Sequence, residues 1–447
     1  MPGIAGINRP GERTQVEKML DKIQHRGPDD RRIIELEGAT LGIVLTKSRA
    51  DSIEEMEREQ AVWDDAGDGH FARAEVAPDG LVLTRDEIGV APLYRGKTEG
   101  GATCFASEVK AMLPVTQDVR EVPPGHRCEG DRMRCYFKLE KQTPLHESPE
   151  EMADELHRRL ETSVEKRIGG TATGSWLSGG LDSSAMAALA RKHMDELHTF
   201  ATGVPGAPDL EYAREVAEFI GSNHHEAVVT LGDMLAALPK VIYHLESFDA
   251  LLVRSSITNY LVAKLASDYV EEVFSGEGGD ELFAGYEYIK SLDPAMLADE
   301  LIDITKRLHN TALQRVDRSA SAHGMVAHVG ILDPDVVDYA HKIPAEYKLR
   351  DGVEKWIFRR AMDGELPERV LNRPKAKFWE GAGVGELLSQ YADERIGDEE
   401  FARERPLPNG WELNSKEELM YYRLFREHFG DLEDLSWMGR TRGAPRQ

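Results

Sequence analysis

The sequence has little cysteine: three residues, Cys104, Cys128 and Cys135, in a chain of 447. A set so sparse and odd in number argues against a secreted disulfide framework and fits a reducing cytoplasm. Long hydrophobic runs are missing as well. No stretch approaches about 18 consecutive apolar residues, and the first residues do not pair a basic region with an apolar one, so neither a membrane span nor a secretory signal is expected. Positive charge is scarce: 55 Lys and Arg stand against 80 Asp and Glu, a formal net charge of −25 with a pI near 5.1. Such a surface repels phosphate backbones and anionic headgroups, which leaves nucleic acid and membranes out of the expected partners.

What remains is the composition of an ordinary globular protein, 41% hydrophobic and 30% charged. At 447 residues the chain is too long for one typical core, and two folding units are expected. Residues 1–140 carry short strand-like runs, such as Leu41–Leu45 and Leu81–Thr84, between Gly, Pro and Asp turn signals. The polar stretch Lys141–Glu150 has no apolar periodicity and reads as the linker. A second unit over residues 150–435 opens with a helical pattern from Met152 to Ile168. Helices at Glu211–Ile220 and Ile257–Ala266 then alternate with apolar strands at 175–177, 199–201 and 272–274. Alternation of this kind predicts a mostly parallel sheet. From about Asp293 the pattern is chiefly helical, and Gly439–Gln447 is expected to fray.

The strongest local signal is Ser178-Gly179-Gly180-Leu181-Asp182-Ser183-Ser184, between an apolar strand and the helical run Ala185–Ala190. Glycines let backbone approach a phosphate, a helix N-terminus offers free N–H groups, and serine hydroxyls add donors. An aspartate beside phosphate oxygens calls for a divalent cation between them, so Asp182 implies Mg²⁺ bound with a nucleotide. A capped turn would explain the Gly and Ser types alone, but not the strand, loop and helix together. The lysine of the common P-loop is absent. The loop instead resembles that of the N-type ATP pyrophosphatases, which split ATP between its α and β phosphates. A second loop, Ser275-Gly276-Glu277-Gly278-Gly279-Asp280-Glu281, crowds carboxylates after another apolar strand; there one acid can hold a metal while another handles a proton.

Together with further stretches, His25–Asp30, Thr84-Arg85-Asp86 running to Pro92-Leu93-Tyr94, Phe105–Glu108, Pro208–Ala213, His224–Glu226, Leu332-Asp333 and Arg373-Pro374-Lys375, the two loops make the chain resemble the asparagine synthetase B family over nearly its whole length. The resemblance implies an α/β protein: a Rossmann-like ATP pyrophosphatase domain preceded by a reduced, β-rich Ntn-hydrolase-like domain. It implies an enzyme that uses ATP and Mg²⁺ to adenylate a carboxylate, with aspartate the leading candidate, and passes ammonia to it. Position by position, Ser178, Gly179, Gly180, Asp182, Ser183 and Ser184 would hold phosphates, Leu177, Thr202, Ser275 and Gly276 the adenosine, and Asp182 and Asp280 the metal. Glu277 matches the essential glutamate of the family and Lys375 the lysine that neutralises departing pyrophosphate; by residue type alone Lys377 would serve equally. Related β-lactam-forming synthetases carry tyrosine where Glu277 stands, which favours intermolecular amide formation here. A homodimer is compatible with this reading, as is a separate glutaminase subunit.

The resemblance breaks at two places. Glutamine-hydrolysing members place a nucleophilic cysteine after the initial methionine, whereas this chain reads Met1-Pro2-Gly3, and the Asn-Gly-Glu element that holds glutamine is missing. The first unit is therefore expected to be shortened and inactive, its three cysteines structural, with nitrogen supplied as free ammonia. Second, Leu251 and Leu252 stand where the family has two threonines implicated in handling aspartate, while Arg254 is kept and can pair with a carboxylate. A different acceptor is thus one alternative, and a non-catalytic nucleotide-binding regulator another. His126, Cys128 and Cys135 fit no zinc spacing, His224-His225 reads as support for the fold, and Lys355 as an ion-pair partner.

Overall fold

The computed structural model describes residues 2–65, 69–169, 171–375 and 381–441; Lys377 and the tail from residue 442 lie outside them. Two antiparallel sheets form from the first part of the chain. Their strands are β1 (Gly3–Ile7), β2 (Asp30–Glu35), β3 (Thr40–Leu45), β4 (Ala61–Asp65), β5 (Phe71–Ala77), β6 (Gly80–Arg85), β7 (Tyr94–Lys97), β8 (Thr103–Ala106), β9 (Arg120–Glu121), β10 (His126–Glu129) and β11 (Arg132–Cys135). The six-stranded sheet runs β2-β3-β1-β8-β7-β9 and the five-stranded one β11-β10-β6-β5-β4. Ile4, Leu41, Ile43 and Leu45 of the first meet Val62, Ala72, Ala74, Leu81 and Leu83 of the second in one core, so the alternating apolar residues of both sheets face inward. Val16, Met19, Leu20 and Ile23 of the helix Arg13–Ile23 pack on the outer face of the first sheet with Ala5, Ile7 and Val44.

A parallel sheet follows, with β12 (Thr173–Trp176), β13 (His198–Gly203), β14 (Asn223–Val228), β15 (Glu272–Phe274) and β16 (Val326–His328) in the order β14-β13-β12-β15-β16. Helices flank it, including α1 (Leu181–Lys192), α2 (Ala250–Ala266), α3 (Gly279–Leu282), α4 (Ala312–Ser321) and α5 (Lys416–Phe429). The order reverses at β12: the chain adds β13 and β14 on one side of it, then returns to add β15 and β16 on the other, and at such a switch a crevice opens beyond the strand ends. The C-terminal third is chiefly helical as expected, and it also contributes β16 to the parallel sheet, between helices. One reading changes. Helix α2 begins at Ala250, earlier than periodicity indicates, because its buried residues run from Leu252 to Ala266 on several faces and leave no polar stripe to mark it; the Asp249 side chain caps it by accepting the Leu252 N–H at 3.0 Å.

Charged side chains join the β-rich part to helix α4. Arg26, fully buried, donates from both terminal nitrogens to Asp317 (2.9 and 2.8 Å), to Glu108 at 2.8 Å and to the Pro2 carbonyl at 3.1 Å. Arg318 donates to Glu246 at 3.3 Å and to the Ser107 carbonyl at 3.2 Å. The motifs His25–Asp30 and Phe105–Glu108 thus mark this junction. Among the described residues no helix is long and apolar enough to cross a membrane.

Candidate active site

Strands β12 and β15 are parallel neighbours, Ser175 opposite Phe274, so the loops that follow them leave the same edge side by side. They press together closely. A Cβ at Gly276 would lie 2.5 Å from the Ser183 nitrogen, and one at Gly279 would lie 2.5 Å from the carboxylate carbon of Asp182, distances only glycine escapes. Within the first loop, the Ser183 hydroxyl accepts the Ser178 N–H at 3.1 Å and donates to the Gly180 carbonyl at 3.2 Å. This folds the loop over the first turn of α1, where backbone N–H groups are free to meet an anion.

At the centre, Asp182 and Asp280 share one ammonium. Lys355 Nζ lies 2.5 Å from Asp182 Oδ2 and 2.6 Å from Asp280 Oδ1, and Lys375 Nζ lies 2.6 Å from Asp280 Oδ2. Burial alone would raise both acids. For Asp280 the two lysines overcome it and hold the carboxyl below its ordinary range, while for Asp182 burial prevails over Lys355, with the nearby Asp280 charge adding to the rise. Lys375 is held above the usual range: burial opposes its charge, but Asp280 and Asp182 favour it more. Asp182 Oδ1 is buried and accepts no hydrogen bond. That orphaned acceptor fits a divalent cation, and since no group of three or more His, Cys, Asp or Glu among the described residues is arranged to hold a metal by itself, phosphate oxygens would have to complete its shell.

Glu277 pairs with Arg315 of α4, and Glu281, pushed up to about 7 by burial and then by the Asp280 charge, accepts the hydroxyl of Tyr286. Arg373 bonds Asp209 at 2.5 Å and the Gly179 carbonyl at 3.0 Å, bringing the Pro208 and Arg373 stretches to the same loop. These groups face a cavity of about 830 Å³ lined by Leu177, Ser178, Gly180, Asp182, Ser183, Thr202, Ser275, Gly276, Glu277, Asp280, Lys375 and Arg254. Two anticipated residues do not line it. Gly179 sits at φ +70 against Tyr212 and turns its carbonyl to Arg373; Ser184 is fully buried within α1. Arg254 reaches the wall already engaged, donating its Nε to Glu417 at 2.8 and 3.0 Å. Leu251 and Leu252 line the same wall.

Sequence reasoning takes Lys355 for an ion-pair partner without seeing that its partners are Asp182 and Asp280; residues so distant in the chain carry no shared spacing. It misses Arg315 as the partner of Glu277. His225, on β14, stacks at 5.3 Å on Phe200, a cavity residue. Gly439–Thr441 is held rather than frayed: Thr441 gives its N–H and hydroxyl to Asp249 at 3.0 and 2.8 Å. Cys104 and Cys128 are buried in β8 and β10, and Cys135 is exposed on β11.

A family model described as asparagine synthase matches residues 155–297 and 291–444, and one described as glutamine amidotransferase domain matches residues 48–114. Asparagine synthetase [glutamine-hydrolyzing] 2 of Arabidopsis thaliana is 34% identical over 391 residues, covering 81% of this chain and 67% of that protein. Asparagine synthetase B [glutamine-hydrolyzing] of Escherichia coli is 33% identical over 384 residues, covering 80% and 69%.

Proposed function

The chain belongs to the asparagine synthase family, and from that premise we propose that it is an ATP-dependent carbon–nitrogen ligase that converts aspartate to asparagine with free ammonia, releasing AMP and pyrophosphate. The observation that carries this is the pair of aspartates, one from each glycine loop, drawn together by Lys355 with Lys375 behind them. In this reading a substrate carboxylate oxygen attacks the α-phosphorus of ATP while the bond to the β-phosphate oxygen breaks. Lys375 stabilises the charge that builds on pyrophosphate. Ammonia then attacks the acyl carbon, AMP departs, and Glu277 accepts the proton lost by nitrogen. Asp182 and Asp280 would hold Mg²⁺ with the phosphates, where it supplies charge neutralisation. Leu177, Thr202, Ser275 and Gly276 would seat the adenosine.

We assign the synthetase to residues 150–435 and a reduced glutaminase-like unit to 1–140, and read the latter as inactive. Support comes from Pro2, which offers no side-chain nucleophile at the start of β1, and from the cysteines. Cys104 lies opposite Ile7 at the far end of that strand, and burial pushes its thiol up to about 12, too high to supply a thiolate. A second reading, amidation of another carboxylate, is favoured by Leu251 and Leu252 on the cavity wall. One assay separates them: purified protein with ATP, Mg²⁺ and aspartate, given ammonium or glutamine, with products identified by mass. Asparagine, AMP and pyrophosphate from ammonium alone are expected; ADP and inorganic phosphate would sink the proposal.

A further inference from the structure

The C-terminal segment reaches this cavity, and Arg440 and Thr441 line it. Thr441 is tied to Asp249, the residue that caps α2, by the two hydrogen bonds described above. The Leu252 N–H binds the same carboxylate, so the segment closes against the first turn of the helix that presents Leu251, Leu252 and Arg254. Arg440 passes over Phe248 and Trp411, 5.6 and 5.5 Å from their ring centres, and its Nη1 lies 2.6 Å from Glu418 Oε1.

Arg254 and Arg440 are thus backed by consecutive residues of α5, Glu417 and Glu418, each 1% exposed in its side chain against 18% and 26% for the arginines. Tyr421 gives its hydroxyl to Glu417 at 2.7 Å and the Asn414 N–H binds Glu418 at 2.5 Å, so both acids are themselves fixed. Arg254 binds Glu417 through Nε and Nη2, and Arg440 binds Glu418 through Nη1. Among the described residues, Nη1 of Arg254 makes no hydrogen bond, and Arg440 is held by ion pairs alone, its Nη1 2.6 Å from Glu418 and its Nε 3.9 Å from Asp249, with no hydrogen bond from its Nη1 and none from its Nη2. A guanidinium anchored from behind in this way loses little freedom when it donates its remaining N–H groups forward.

We propose that Arg440, with Arg254, is a specificity-determining residue that binds a second carboxylate of the acceptor, the one that is not adenylated, and that the C-terminal segment completes this end of the site. The proposal rests on the ligase reading above. Both arginines line the cavity, and one N–H arm from each matches the two oxygens of one carboxylate. Glu417 and Glu418 offset both arginine charges, and Asp249 lies a further 3.9 Å from Arg440 Nε, which suits a monoanion better than a phosphate dianion.

Pyrophosphate release with ATP, Mg²⁺ and ammonium tests this on the full chain. Unmodified protein should turn over aspartate and fail with β-alanine, which is aspartate without its α-carboxylate. Arg440→Gln should raise KM for aspartate by about tenfold or more, as loss of a charge-assisted hydrogen bond predicts, while KM for ATP stays unchanged; the thermal midpoint should fall because Glu418 loses its partner, and Arg440→Lys should recover part of both losses. Equal use of β-alanine, or an unchanged aspartate KM in a folded, AMP-forming Arg440→Gln protein, would overturn the assignment and leave the ligase reading standing. No AMP from unmodified protein with any acid would remove both.

Discussion

Lys355 and Lys375 both hold Asp280 but differ in freedom: their side chains are 3% and 30% exposed. An ammonium sealed between two carboxylates keeps the loops together, whereas the more exposed one can turn toward incoming phosphate at little cost. That difference supports Lys375, rather than Lys355, as the group that meets pyrophosphate. Glu277, on the same loop as Asp280, also lines the cavity and is joined to Arg315. Glu277→Gln keeps its shape and removes its basicity, so amide formation should fall about 10²- to 10⁴-fold while nucleotide affinity, measured by calorimetry, stays within a few-fold. Away from the cavity, burial pulls Lys348 from its ordinary 10.5 down to about 7. A lysine depressed in the folded state binds fewer protons folded than unfolded, so stability climbs with pH from about 7 to 10.5, and the penalty is full below pH 7. Lys348→Met should therefore raise the thermal midpoint, and by more at pH 7 than at pH 10.

The two glycine loops work as one element because β12 and β15 deliver them side by side. Their contact depends on missing side chains. Gly276→Ala would set a methyl carbon 2.5 Å from the Ser183 nitrogen, forcing the loops apart and separating Asp182 from Asp280. Equilibrium binding of ATP with Mg²⁺ should weaken at least tenfold, while far-ultraviolet circular dichroism is retained; unchanged affinity would show that the loops need not touch. Helix α4 works in two directions: Arg315 holds Glu277, and Asp317 and Arg318 enter the buried network around Arg26 and Glu246. Removing one partner of a buried ion pair generally costs about 3–5 kcal/mol, a physical reason for the β-rich part to persist whether or not it hydrolyses glutamine.

For the whole molecule, nitrogen supply is the consequence that can be measured. Fed by free ammonia, a small fraction of total ammonium at neutral pH, the enzyme should speed up between pH 7 and pH 9 at fixed total ammonium. A flat profile, or efficient turnover with glutamine by the isolated chain, would contradict the inactive-glutaminase proposal. The same experiment should be run at several salt concentrations, since a net charge of −25 destabilises the compact state by self-repulsion that salt screens.

The sequence alone determined the loops, their glycines and acids, and the alternation of strands and helices, because phosphate cradles and parallel sheets leave their marks within a few consecutive residues. It also exposed the departures at Pro2, Leu251 and Leu252. Tertiary structure alone decided that Lys355 belongs to Asp182 and Asp280, that Arg315 belongs to Glu277, and that Arg440 shares a wall with Arg254. The physical reason is that ion pairs depend on distance in space, and a folded chain brings together charges whose separation along the sequence follows no period.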